Sequence, residues 1–191
     1  EKASYSELFK PNTLLFYFAF LVFNLTLLAV LAFAPTFMQQ HGVDPTMSGF
    51  VSSLPMLLAV ISSPLFGALS DKMGRCKPLY LVALAAMGPC AFLLLTQTGA
   101  LMWVGAVVMG LVGLGVPVMC LTSYINVLGR PELMSIGMGV LMLVQSLGQF
   151  LGTWLVPMLL GPDMSAWMFT GIVMCVIGIV GTIALAFCKF K

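Results

Sequence analysis

Long apolar runs broken by short polar segments form the dominant pattern of this chain. Charged and turn-forming residues divide it into stretches at about 13–38, 48–70, 78–97, 100–127, 132–160 and 165–188. Each is long enough to cross the hydrocarbon core of a bilayer as a helix, which takes about 20 predominantly apolar residues. The run from Leu14 to Phe37 is apolar on every face, whereas a barrel strand would span about ten residues of alternating polarity. Pro45 follows Asp44, Pro78 follows Lys77, Pro131 follows Arg130 and Pro162 precedes Asp163. Each is expected to open a helix, the position at which the missing N–H costs least. The pattern predicts an all-α membrane protein of six transmembrane helices. Ahead of them, Ser4-Tyr5-Ser6-Glu7 has the spacing of a capping box and leads into Leu8 and Phe9. That segment, 1–12, reads either as a short interfacial helix on the cytoplasmic side or as a frayed linker.

Composition agrees with the pattern: of 191 residues, 61% are hydrophobic and 7% charged, with a mean hydropathy of +1.11. No water-soluble domain of this length hides so much apolar surface. A removable signal peptide would supply one short apolar core, but here apolar segments recur to the C-terminus. The five cysteines (Cys76, Cys90, Cys120, Cys175, Cys188) are scattered, odd in number and without a Cys-x-x-Cys pair, so neither a disulfide framework nor a zinc site is expected. No cofactor is expected either.

Charge sets the expected orientation. All eight basic residues, Lys2, Lys10, Lys72, Arg75, Lys77, Arg130, Lys189 and Lys191, fall at the N-terminus, the second and fourth loops, and the C-terminus. The alternate loops around 41–46, 97–99 and 161–165 carry none. Since Lys and Arg are retained inside during insertion, both termini are expected in the cytoplasm and the number of crossings must be even. Trp103 and Trp167 stand near the expected outer boundaries, as interfacial aromatics do. The net charge of +2 thus describes topology and gives no reason to invoke nucleic acid.

The second loop carries the most specific local signal, Gly67-Ala68-Leu69-Ser70-Asp71-Lys72-Met73-Gly74-Arg75-Cys76-Lys77. It resembles the signature that joins helices two and three in the major facilitator superfamily. Gly67, Asp71, Lys72, Gly74 and Arg75 match; Cys76 departs where a second basic residue is common, and Lys77 follows one place late. Gly67 would permit close helix approach, Gly74 a positive φ in a tight reversal, and the cations would hold the loop inside. Asp71 has two readings. The resemblance implies a conformational latch, in which its carboxylate accepts hydrogen bonds from a neighbouring helix N-terminus. The plain alternative is a solvated turn.

The resemblance extends over the whole chain, since six spans with both ends inside equal one half of a twelve-helix facilitator. It implies two inverted three-helix repeats, 13–97 and 100–188, within a single domain over 1–191. The opening Glu1 with its linker-like segment and the stop just after the last helix lead to the expectation of a C-terminal half. Its partners would then be lipid, a small-molecule substrate and the N-terminal half of the same transporter, or a second copy of the chain. A bacterial inner membrane is the expected location.

In that family the first helix of each repeat lines the cavity, here spans one and four. Asn24 lies near the centre of span one, with Phe20 and Leu28 one turn away on the same face. Span four offers Gly113, Gly115 and Pro117 near its centre and Thr122, Tyr124 and Asn126 toward the cytoplasm. Gln145 and Gln149 share one face in the middle of span five, where Gly148 and Gly152 form a Gly-x-x-x-Gly expected to serve helix packing. Phe20, Asn24, Leu28, Thr122, Tyr124, Asn126, Gln145 and Gln149 are the candidates for lining a substrate cavity. For each polar one, interhelical hydrogen-bond glue is the competing reading.

No Asp, Glu, Lys or Arg falls in the central part of any span. Intramembrane ionisable groups normally carry proton coupling, so any coupling carboxylate is expected in the other half. An enzyme is not expected: the only histidine, His41, is in an outer loop, which leaves no base for an intramembrane serine protease and too few ligands for a metal centre. A potassium-type selectivity filter is absent. A channel of another kind or a non-transporting scaffold remain as rivals to the transporter.

Overall fold

The computed structural model describes residues 5–190; Lys2, Ser4 of the capping-box spacing, and Lys191 lie outside them. The helices are α1 (Pro11–Gln40), α2 (Pro45–Met73), α3 (Lys77–Thr96), α4 (Ala100–Leu111), α5 (Val116–Leu128), α6 (Met134–Leu160) and α7 (Trp167–Phe187). Single 3-10 turns at Tyr5–Phe9 and Pro131–Leu133 precede α1 and α6, and a third at Gly113–Gly115 links α4 to α5. With α4 and α5 taken as one span, six helices are long and apolar enough to cross a membrane. The chain is an integral, multi-pass membrane protein. At 30 residues, α1 is about 45 Å long and exceeds the hydrocarbon thickness, so it must tilt or protrude.

Local chemistry explains the ends. Asp44 caps α2, its carboxylate accepting from the N–H groups of Thr46 and Met47 at 2.9 and 3.3 Å, and Pro45 occupies the first turn. Gly74 ends α2 in the left-handed region at φ +61°, with its N–H bonded to the Ser70 carbonyl at 2.9 Å, as the sequence required of that glycine. Pro78 and Pro131 also stand in first turns. Pro162 does not. It lies in the turn 161–164, entered through Gly161 at φ +74° and left through Met164 at φ +45°, and α7 begins only at Trp167. Trp167, the first residue of α7, is buried against the end of α1, its Nε1 donating to Gln40 Oε1 at 2.7 Å and its ring edge-on to Phe37.

Neighbouring spans in the sequence are not the main partners. Span one packs most closely on span five (α1 on α6), span two on span four (α2 on α4), and span three on span six (α3 on α7). Exchanging spans one, two and three with four, five and six maps these pairs onto themselves. Because each set holds three crossings, an odd number, counterpart spans run in opposite senses, which is the relation between two inverted three-helix repeats.

Each of the three pairs closes on glycine. A Cβ at Gly148 would lie 2.6 Å from the Leu21 carbonyl oxygen of α1, and one at Gly152 would strike the Leu25 carbonyl. On α3 and α7, Gly88 faces Gly178 with a would-be Cβ 2.7 Å from the Gly88 Cα. Gly110 of α4 seats against Pro55 of α2, where an added Cβ would lie 2.9 Å from the Pro55 Cα. Apolar side chains gain nothing by leaving lipid for one another, so backbone approach and dense van der Waals contact must hold such pairs together.

Alternation of the spans gathers Lys10, Lys72, Arg75, Lys77, Arg130 and Lys189 at one end of the bundle. An aromatic cluster closes that end: Phe16 stacks on Tyr124 at 5.6 Å and meets Tyr80 edge-on at 5.7 Å, while the hydroxyls of Tyr17 and Tyr124 share a 2.6 Å hydrogen bond. The segment after α7 lies across it, with Phe190 against Phe16.

Candidate functional site

Span four is broken at its middle. Pro117 has no N–H to give to the Gly113 carbonyl and its ring crowds that position, so the regular α-helical bond is lost there and the helix is open to a kink or a break. The chain instead tightens into the 3-10 turn Gly113–Gly115, where the Val116 N–H takes the Gly113 carbonyl. Neighbours complete the break. Ser62 Oγ of α2 donates to the Leu111 carbonyl at 2.9 Å, and the Phe66 ring fills the space in which a Gly115 side chain would stand, 2.6 Å from its would-be Cβ. The sequence led to the expectation of one continuous helix over 100–127; the break replaces it. Non-helical backbone at membrane depth is tolerated only where protein or a water-lined cavity shelters it.

Beside the break, Phe20, Pro117, Leu121, Met138, Leu141, Met142 and Gln145 line a cavity of about 180 Å³ between α1, α5 and α6. Gln145 is exposed and Gln149, one turn along, is half-buried; neither side-chain amide has a hydrogen-bond partner among the described residues. Ser146 beside them is exposed and bonds only back to Met142 O. These positions are at the centre of α6, where an amide facing hydrocarbon would cost several kcal/mol. The face must therefore meet water, ligand or protein.

The structure thus brings Phe20 and Gln145 to one cavity and sets Gln149 on its rim helix. Asn24 is placed elsewhere: buried, it donates from Nδ2 to the Phe20 carbonyl at 2.9 Å and packs its Cβ against Gly148 of α6. Leu28 is half-buried. Thr122 is exposed and bonds back to Val118 O at 2.7 Å. Tyr124 is fully buried in the aromatic cluster, and Asn126 belongs to a separate cavity near the basic end. Pro117 was marked in the sequence by its place at the centre of span four, but Leu121, Met138, Leu141 and Met142 were missed as lining residues, because apolar liners look like any other membrane residue. Tyr17, the partner of Tyr124, was also missed.

The family model for the Major Facilitator Superfamily matches residues 1–153, most of the chain. The chain belongs to the major facilitator superfamily. It is therefore a protein of small-molecule transport, and its family is not an enzyme class. No individual curated protein matches it. Among the described residues no group of three or more His, Cys, Asp or Glu could hold a metal ion.

The superfamily signature loop is placed as follows. Gly74 makes the left-handed turn described above. Asp71, Lys72 and Arg75 are exposed, and the Asp71 carboxylate has no hydrogen-bond or ion-pair partner among the described residues. A Cβ at Gly67 would meet nothing within 4 Å, so no helix among the described residues packs closely on that side of it.

Proposed function

We propose that the chain is one half of a secondary transporter working by alternating access, and that the cavity of α1, α5 and α6 is its share of the substrate path. The observation that carries this reading is the pair of unpartnered amides, Gln145 and Gln149, beside a span broken at mid-depth. Discontinuous helices at the midplane free backbone groups for ligand, and polar side chains there orient it. In this reading Phe20 and Gln145 contact substrate, while Asn24 holds α1 to α6.

Exposure supports a partner unit. Only 22% of the most apolar stretch of span five and 28% of that of span two are buried within the chain, against 61% for span one. A second six-helix unit, another half or another copy, would cover those faces. The open side of Gly67 and the unpaired Asp71 then await the partner's helix end, the latch contact, and the termini and basic end face the cytoplasm. All described Asp, Glu, Lys and Arg stand at or beyond helix ends, which supports a reading in which any coupling carboxylate belongs to the other half.

The test uses the complete transporter in sealed vesicles. Gln145→Leu should weaken substrate affinity while leaving the pH dependence of uptake unchanged, and a cysteine at position 145 should be protected from a water-soluble maleimide by substrate. Unaltered affinity together with no protection by any transported solute would return the scaffold reading.

A further inference from the structure

A second cavity, of about 740 Å³, opens at the basic end of the bundle, lined by Gly74, Arg75, Cys76, Lys77, Pro78, Leu81, Asn126, Lys189 and Phe190. It is separate from the proposed substrate path and shares no residue with it. Three of its liners are cations and none is a carboxylate. Among the described residues the one ion pair is Lys10 with Glu7, so Arg75, Lys77 and Lys189 have no acidic partner. Three like charges around one opening repel each other, and the arrangement is stabilised by an anion that enters it.

The Lys77 ammonium is held in place, and the backbone positions the other two cations. Lys77 Nζ donates to the carbonyls of Ala186 and Cys188 at 2.8 and 2.6 Å and stands 5.7 Å from the Phe190 ring centroid. Lys189 springs from a clamped backbone: its N–H donates to Asn12 Oδ1 and its carbonyl accepts from Asn12 Nδ2, both at 2.6 Å. Arg75 follows the Gly74 turn, which fixes where its side chain departs. Asn126 adds an amide with no partner among the described residues. Against these polar groups stand the apolar walls Pro78, Leu81 and Phe190.

We infer that this cavity binds a phosphate group, with the Arg75 guanidinium as the planar fork and Lys77 and Lys189 as point charges. The apolar walls fit the glycerol and first methylenes behind the phosphodiester of an anionic lipid, the setting in which basic pockets at a cytoplasmic surface take headgroups. Free phosphate shares the same anionic chemistry.

Native mass spectrometry of the purified full-length protein, titrated in micelles with dioleoylphosphatidylglycerol or dioleoylphosphatidylcholine, tests the inference and separates the sources. Phosphatidylglycerol should bind in preference, and its affinity should fall about five-fold for each of Arg75→Gln and Lys189→Gln. Arg75→Lys, which keeps the charge but loses the planar fork, should bind more weakly than the wild type and more tightly than Arg75→Gln, and Arg130→Gln, a cation of the same end outside the cavity, should leave binding unchanged. Both glutamine variants alter exposed side chains, and an unshifted melting temperature in plain detergent would show that they fold. Inorganic phosphate at millimolar concentration that displaces the lipid and raises the melting temperature of the wild type, but not of the double variant, would assign the same site to free phosphate. Equal binding of the two lipids, a preference surviving in the double variant, or an equal loss in Arg130→Gln would overturn the site.

Discussion

At the scale of single residues, glycine has three different jobs in this protein, and substitution separates them. Gly148 abuts a carbonyl of α1, so Gly148→Ala forces the helices apart and should cost about 1–3 kcal/mol, read as a lower melting temperature. Gly139, on the same helix, is exposed with nothing within 4 Å; Gly139→Ala should be neutral or stabilise by up to about 1 kcal/mol through helix propensity. Gly74 has a positive φ, and alanine there should cost about 1–2 kcal/mol whatever the surrounding space. Gly67 resembles Gly139 within this chain, so Gly67→Leu should leave the stability of the isolated chain unchanged. Loss of uptake by the same variant in the complete transporter would place a partner helix against it.

At the scale of elements, the break in span four is the feature to perturb. Pro117→Ala restores an N–H able to bond the Gly113 carbonyl, and the expected outcome is a straighter span that keeps its stability while uptake falls. Circular dichroism with a melting curve, set beside an uptake assay, measures both. Ser62→Ala removes the hydroxyl that serves the Leu111 carbonyl; it should lower stability by about 0.6 kcal/mol, the usual worth of an interhelical hydrogen bond in a membrane. The helices themselves were legible in the sequence, because apolar length and first-turn prolines are local properties. The break was half legible: Gly113, Gly115 and Pro117 marked the place, but glycines and prolines also occur within continuous membrane helices, as Pro55 and Pro64 do in α2. Phe66 and Ser62, which complete it from another span, could not be read from span four at all.

At the scale of the whole molecule, exposure distinguishes faces that look alike in composition. Val176 and Ile183 of α7 are exposed and apolar, whereas Gln145 of α6 is exposed and polar. Nitroxides introduced at these positions in the complete, reconstituted transporter should differ: Val176 and Ile183 should collide freely with oxygen dissolved in lipid, and Gln145 with a water-soluble nickel chelate. Nickel access at Val176, or its absence at Gln145 in every state of the transport cycle, would refute the assignment of these faces. The candidate cavity was legible only in part for the same reason. Phe20 and Gln145 were within reach because span order suggested their faces, but Asn24 bonds to its own helix backbone and Tyr124 to Tyr17, pairings that depend on which groups the fold brings within bonding distance.

Hydropathy, proline placement and charge by themselves determined that this polypeptide dissolves in lipid, crosses it six times and keeps its described cations at one end, because each of those depends on transfer from water and needs no neighbour. Which spans touch was decided only in three dimensions. Pairing of one with five, two with four and three with six rests on Gly148, Gly110, Gly88 and Gly178 meeting backbone far away in the chain. In a solvent as apolar as the side chains, contact geometry chooses the partners, and contact geometry has no local signature.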